Sequence, residues 1–151
     1  MNPAPRGSAL RIFLDANILF SAAQSDGAIR RLLRELQAAG HTLVADAYVV
    51  AEAERNVAAK TKAGADLPRV LATVQVNALM PSPALAEELL AWLPAKDRPV
   101  LSSAIGLQCQ MLLTGDRRHF GSGFGRSMGG VLILSPLLLA QRLMAAPEQA
   151  D

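Results

Sequence analysis

Residues 11–22 read RIFLDANILFSA, and the fold turns on how this stretch is interpreted. Ile12, Phe13 and Leu14 have the character of a short buried strand, which runs directly into Asp15-Ala16-Asn17 and then into a new apolar turn. Asp is a frequent N-cap or turn former, so a local role for Asp15 is sufficient on this stretch alone. A carboxylate at the carboxyl end of a buried strand also lies where open α/β sheets bind their ligands. The stretch leaves cap and site both open, and the remaining chain has to separate them.

The chain has 151 residues, the size of one domain, able to bury about two-thirds of the surface its unfolded form exposes. With 51% apolar and 19% charged residues it is a globular rather than a disordered sequence. Aromatics make up 4%, which argues against a surface that reads bases by stacking. The sole cysteine, Cys109, excludes an internal disulfide framework and a cysteine-rich zinc site, and fits a small buried residue in a reducing compartment. No signal-like apolar core precedes residue 11, and the longest apolar run, 131–146, is interrupted by Ser135, Pro136, Gln141 and Arg142, so the expectation is a cytoplasmic protein without a membrane span. Residues 1–8 read as a tail, 9–146 as one domain and 147–151 as a second tail.

Outward from residue 22, apolar Ile29, Leu32, Leu33 and Leu36 recur at helical spacing over 28–39, with Gly40 in the position that ends a helix. Residues 42–45 (TLVA) form a second strand, and Asp46 caps a helix over 47–60 that carries Glu52 and Glu54 on either side of its apolar stripe. A weak helix over 67–73, a strand over 74–79 and a short acidic helix over 84–92 follow. Asp97 then opens a helix with Pro99 in its first turn, a position that suits proline, so capping is an adequate role for it. A strand over 110–113 ends in Thr114-Gly115-Asp116, residues 117–120 begin a turn, and 121–130 is an irregular glycine-rich loop. Residues 131–134 are the last strand, and 136–145 the closing helix. Strands alternating with helices predict a three-layer α/β/α sandwich with a mainly parallel central sheet of about five strands. Right-handed crossovers put the strand-to-helix junctions at one edge, which makes convergence of Asp15, Asp46 and Asp116, with Asp97 at its helix start, geometrically reasonable; Glu52 joins Asp15, Asp97 and Asp116 as the candidate group.

Such a convergence needs a counter-charge. Two carboxylates about 4 Å apart repel by roughly 4 kcal/mol at a surface-like effective dielectric. A divalent cation relieves this, and an all-oxygen donor set suits Mg²⁺ or Mn²⁺. One or two such ions can activate water and stabilise the leaving oxygen of a phosphodiester.

The stretches LDANILF (14–20), YVVAEAERN (48–56), KDRPVLSSAIGL (96–107) and LLTGDRRHF (112–120) resemble, in order and approximate spacing, the four acidic motifs of the PIN-domain nucleases. The likeness is nearest to the toxin-like branch related to the VapC ribonucleases, and it covers the chain from about residue 11 to 143. Each motif is weak alone; the four together are specific. The resemblance implies a PIN-like fold and makes Asp15, Glu52, Asp97 and Asp116 the metal-binding, catalytic acids, choosing Glu52 over Glu54. It places Asn17 and Thr114 beside them, Asn17 to orient a carboxylate or a metal-bound water, Thr114 to hydrogen-bond a carboxylate or phosphate. It further implies an Mg²⁺- or Mn²⁺-dependent endoribonuclease, the toxin of a type II toxin–antitoxin system, with an RNA substrate, a small antitoxin partner and a homodimeric state. The alternative is a PIN-like RNA-binding or regulatory module that is catalytically silent or has a housekeeping role, without an antitoxin.

Net charge is +2, too little to argue for nucleic acid by itself. With four carboxylates committed to metal, nine acids remain against 15 basic residues. Lys96, Arg98, Arg117, Arg118 and Arg126 lie near the acids in sequence and are candidate phosphate contacts, or ordinary solvated charges. His119 has two readings, a catalytic helper or, ahead of it, a turn or surface residue, and His41 has no evident partner. A haloacid-dehalogenase-like phosphatase would need an acid where Asn17 stands and another where Phe120 stands, and a receiver domain would need paired acids after the first strand. Neither pattern is present.

Overall fold

In the computed structural model, which describes residues 9–60, 65–78 and 87–149, a six-stranded sheet is flanked by helices. The strands are β1 (Arg11–Leu14), β2 (Thr42–Asp46), β3 (Gln75–Asn77), β4 (Met111–Leu113), β5 (Ser127–Met128) and β6 (Val131–Leu134). The helices are α1 (Ala16–Gln24), α2 (Ala28–Ala38), α3 (Ala47–Lys60), α4 (Leu67–Leu71), α5 (Glu87–Leu90), α6 (Arg98–Gly106), α7 (Arg117–Phe120) and α8 (Pro136–Gln149). Strand order is β3-β2-β1-β4-β6-β5, parallel throughout except for the β5–β6 pair.

The sheet is central because its middle strands are apolar on both faces. Ile12, Phe13 and Leu14 of β1 and Leu112 and Leu113 of β4 are completely buried, the pattern of parallel strands covered on both sides. From β1 the chain moves outward through α1 and α2 to β2, then on to β3. It then reverses across the sheet to β4, so right-handed crossovers put α6 on the face opposite α1 and α3. That reversal separates β1 from β4 in connection while pairing them in register, Leu14 opposite Leu113. Their carboxyl ends are the switch point where an open α/β sheet leaves a crevice.

Local details follow from identifiable residues. At the end of α2, Gly40 has φ of +96° and its N–H donates to the Gln37 carbonyl, while the His41 N–H reaches the Leu36 carbonyl. This is the reciprocal helix-ending motif that favours glycine. His41 has a partner after all: its Nδ1 accepts the Leu10 N–H at 3.0 Å. Arg30 caps the end of α1, donating from Nε to the Ala22 carbonyl at 2.8 Å and from an Nη to Ala23 at 3.3 Å.

The glycine-rich segment departs from the sequence expectation. Residues 121–130 contain a 3-10 turn at Gly121–Gly123 and the sixth strand, β5. Met128 pairs with Val131 across Gly129 and Gly130, whose φ values are +59° and +86°. Two consecutive residues with positive φ make the two-residue hairpin turn that Gly-Gly favours. The strand count is therefore six rather than five. Residues 117–120 form a short helix rather than an open turn, and α8 runs on past residue 145 to Gln149. The strand expected over 74–79 is confined to Gln75–Asn77, and the helix expected over 84–92 is seen as Glu87–Leu90. Residues 1–8, 61–64, 79–86 and 150–151, including the expected N-terminal tail, lie outside the described residues. Among the described residues no helix is long and apolar enough to cross a membrane.

The two kinds of glycine can be separated by substitution. Gly40→Ala should lose about 1–2 kcal/mol, the cost of a left-handed side-chain-bearing residue. Gly121, with helical φ and no atom within 4 Å of an added methyl, should accept alanine with no loss or a gain of up to about 1 kcal/mol. Urea unfolding of both variants tests this, and equal losses would contradict the assigned backbone.

Candidate metal centre

The centre is built first at the ends of β1 and β4. Asp15 is the residue after β1, its N–H donating to the Leu113 carbonyl at 3.1 Å as the ladder continues past the strand. Its carboxylate is only 5% exposed. Oδ1 accepts the Ala16 N–H at 2.8 Å, at the start of α1. Oδ2 accepts the hydroxyl of Thr114 at 2.9 Å and the amide of Asn17 at 3.2 Å. Thr114, completely buried, in turn accepts the Asp116 N–H at 3.1 Å. Asn17 spans the two strand ends: its Oδ1 accepts the Gly115 N–H at 2.7 Å, and its Nδ2 also reaches the Thr114 hydroxyl oxygen at 3.3 Å. A Cβ at position 115 would stand 3.3 Å from Asn17 Oδ1, which is why a glycine suits that position. Asn17 and Thr114 thus both contact Asp15 directly.

Burial pushes the Asp15 pKa up from 3.8 to about 6, outweighing the lowering effect of the Thr114 and Ala16 hydrogen bonds. Glu52 and Asp97 add to the rise, as expected of carboxylates facing the same space.

The second part comes from α6 and α7. Asp97 closes a 3-10 turn, Ala95–Asp97, and enters α6 with φ −98° and ψ −12°. The capping role expected for it is not seen: the preceding turn already holds its backbone in the helical region, and its side chain accepts no cap hydrogen bond. The carboxylate is instead buried, at 6% exposure. Asp116 does cap a helix, its Oδ1 accepting the His119 N–H at 3.1 Å. The His119 ring lies between the two acids, with Nδ1 2.9 Å from Asp116 Oδ2 and 3.0 Å from Asp97 Oδ2. One oxygen from each aspartate and one His119 nitrogen all lie within 4.8 Å of one another. Phe120 fixes this short helix from beneath, completely buried and edge-to-face with Trp92 at 6.0 Å between ring centroids. Sequence reasoning put a surface reading of His119 first. Its signal was the Asp-x-x-His spacing at a helix start, which turns both side chains to one face.

Glu52 comes from α3, half-buried, whereas Glu54 is exposed. One turn earlier, the Tyr48 hydroxyl donates to the Lys96 carbonyl at 2.6 Å, tying α3 to the turn that presents Asp97. Burial, with Glu52 and Asp97 nearby, raises the Tyr48 pKa. Asp46 is buried, and its Oδ1 accepts the Val49 N–H at 3.1 Å, the cap expected from sequence.

The basic residues divide by what they touch. Lys96 Nζ stands 3.6 Å from Asp97 Oδ1. Arg98 donates from Nε to the Leu93 carbonyl at 2.9 Å. Arg117 and Arg118 are exposed on α7 beside Asp116, and Arg126 is exposed before β5, two strands away from β4. A cleft of about 350 Å³ lined by Gly115, Arg117, Phe124, Ser135 and Leu138 adjoins Asp116. A larger one of about 660 Å³, between α2 and the start of α8, shares no residue with the carboxylate cluster.

No family model matches the sequence, and no curated protein matches it. Among solved structures the chain is similar to a chain of VapBC2 from Rickettsia felis, a complex determined bound to a DNA fragment from its own promoter. The two share 17% identity with a TM-score of 0.63, over 83% of this chain and 98% of that one. At this identity the likeness speaks for the fold: a mainly parallel α/β sheet of PIN-like type.

The raised Asp15 pKa has a consequence for metal-free stability. Between pH 3.8 and about 6 the folded state holds a proton that the unfolded state has lost, so stability falls as pH rises through this window. The loss from this one group amounts to at most about 3 kcal/mol. Asp15→Asn should remove it: in chelator the variant gains on the wild type between about pH 4 and pH 7. Urea titrations at both pH values would show the gain, and a pH-independent difference would contradict the assigned burial.

Proposed function

We propose that this protein is an Mg²⁺- or Mn²⁺-dependent endoribonuclease and the toxin component of a type II toxin–antitoxin pair. The observation that carries this reading is the convergence of Asp15, Asp97 and Asp116, from three separate segments, at the β1–β4 switch point, with Glu52 facing them from α3. A scaffold with only a structural task has no use for so much like charge in one place.

The donors fit a divalent cation. Asp97 Oδ2 is buried and accepts no hydrogen bond, an acceptor left over for another positive group. Asp15, Glu52, Asp97 and Asp116 would hold the metal, which when bound supplies Lewis acidity and a lowered pKa for water. The chain's own part is preorganisation. Thr114 and Asn17 hold the Asp15 carboxylate at a fixed angle, and Phe120 anchors the helix that presents Asp116. Tyr48 holds the turn that presents Asp97. Fixed donors need no reorganisation when charge develops on a phosphodiester.

The substrate reading rests on charge and shape. Lys96, Arg117 and Arg118 offer phosphate contacts beside the acids, and Arg98 and Arg126 are further candidates. The cleft of about 350 Å³ next to Asp116, with Arg117 on its wall, offers room for a nucleotide beside the acids. The VapBC2 likeness supports an antitoxin partner, for which the acidic face is our proposed docking site, and a homodimer is proposed on the family resemblance.

Purified protein should cleave single-stranded RNA with Mg²⁺ or Mn²⁺ and not in EDTA. Asp97→Asn and Asp116→Asn should each lower the rate by about 100-fold or more while keeping the native circular dichroism spectrum. Cleavage in EDTA, or undiminished rates in both variants, would overturn the reading. Growth arrest on expression, relieved by a small neighbouring protein, would separate a toxin from a housekeeping nuclease.

A further inference from the structure

We propose that His119 is itself a metal ligand beside Asp97 and Asp116, so that the centre adds one imidazole to its carboxylates and selects first-row transition ions over Mg²⁺. The inference rests on the metal reading above and adds a nitrogen donor to its four acids.

Geometry carries it. His119 Nδ1 lies 2.9 Å from Asp116 Oδ2 and 3.0 Å from Asp97 Oδ2, nearly equidistant. A ring nitrogen carries at most one hydrogen, so it can satisfy one of the two oxygens. The hydrogen bond runs to Asp116, and Asp97 Oδ2 is left buried without one. Lys96 does not repair this, because its ammonium faces Oδ1, at 3.6 Å. An ion bound by all three atoms would use every one of these lone pairs.

The ring is held in place for the purpose. Asp116 accepts the His119 backbone N–H, and the next residue, Phe120, is completely buried against Trp92. Little side-chain freedom is left to lose on binding. The chemical consequence is selectivity. Carboxylate oxygens serve Mg²⁺ and Mn²⁺ alike, whereas an imidazole nitrogen adds more to a transition ion, and more to Co²⁺ than to Mn²⁺.

The test is direct metal binding to the full-length protein without RNA. Isothermal titration with Mg²⁺, Mn²⁺ and Co²⁺ should give affinities rising steeply in that order. His119→Ala should weaken Co²⁺ and Mn²⁺ by about tenfold or more and Mg²⁺ by much less, flattening the series. His119→Asn, which keeps a polar side chain, guards against a folding defect, and both variants are checked by circular dichroism. Pulsed electron paramagnetic resonance of the Mn²⁺ complex should show coupling to a histidine nitrogen that disappears in both variants. Absence of that coupling in the wild type, or an equal loss for all three ions in the variants, overturns the proposal. If His119→Ala leaves binding unchanged while Asp116→Asn abolishes it, the nitrogen ligand fails and the carboxylate site stands. If the wild type binds none of the ions, the metal reading falls as well.

Discussion

One hydroxyl group serves two acids at the centre of this molecule. Thr114 donates to Asp15 and accepts the backbone N–H of Asp116, so the strand ends of β1 and β4 are joined through a single buried oxygen. The constraint behind this is desolvation. Burying Asp15 at the end of an apolar strand disfavours its charge, and the hydrogen bonds from Thr114, Ala16 and Asn17 only partly offset that penalty. The sheet therefore holds a carboxylate in tension between two requirements, a dry core beneath it and a charged face above it.

Around that fixed pair the other acids are held by different means. Asp97 and Glu52 belong to separate helical elements, linked by a hydrogen bond from the Tyr48 hydroxyl to the Lys96 carbonyl. Asp116 and His119 depend on the anchoring of Phe120 under α7. The cluster thus has a half locked by sheet register and a half positioned by side-chain anchors, and repulsion among the acids is borne by both.

Much of this was legible in the chain itself. Apolar runs such as Ile12–Phe13–Leu14 and Leu112–Leu113 state their burial directly, and alternation with amphipathic helices implies a parallel sheet. The caps at Asp46 and the helix end at Gly40 also followed from residue type. Three features did not. β5 is two residues long, and its signal lay in the Gly129–Gly130 hairpin turn inside a segment whose glycines invite a loop reading. Asp97 looked like a cap because Pro99 follows it, but the 3-10 turn before it leaves no extended residue at the cap position. His119 was placed second to a surface reading because its contact with Asp97, distant in sequence, arises only through the packing of α6 against the sheet.

The strand order carries a consequence for how the molecule is made. β1 is synthesised first, yet its second neighbour, β4, arrives about a hundred residues later, and the Thr114–Asp15 bond spans 99 positions. Until then one edge of this buried strand stays unpaired on a growing chain, a template for wrong partners. Long-range pairing of this kind also slows the final closure. The same delay is protective, because no nascent chain that ends before residue 116 can assemble the acidic cluster. Whatever chemistry the finished site performs is withheld from the ribosome-bound polypeptide until most of it has been made.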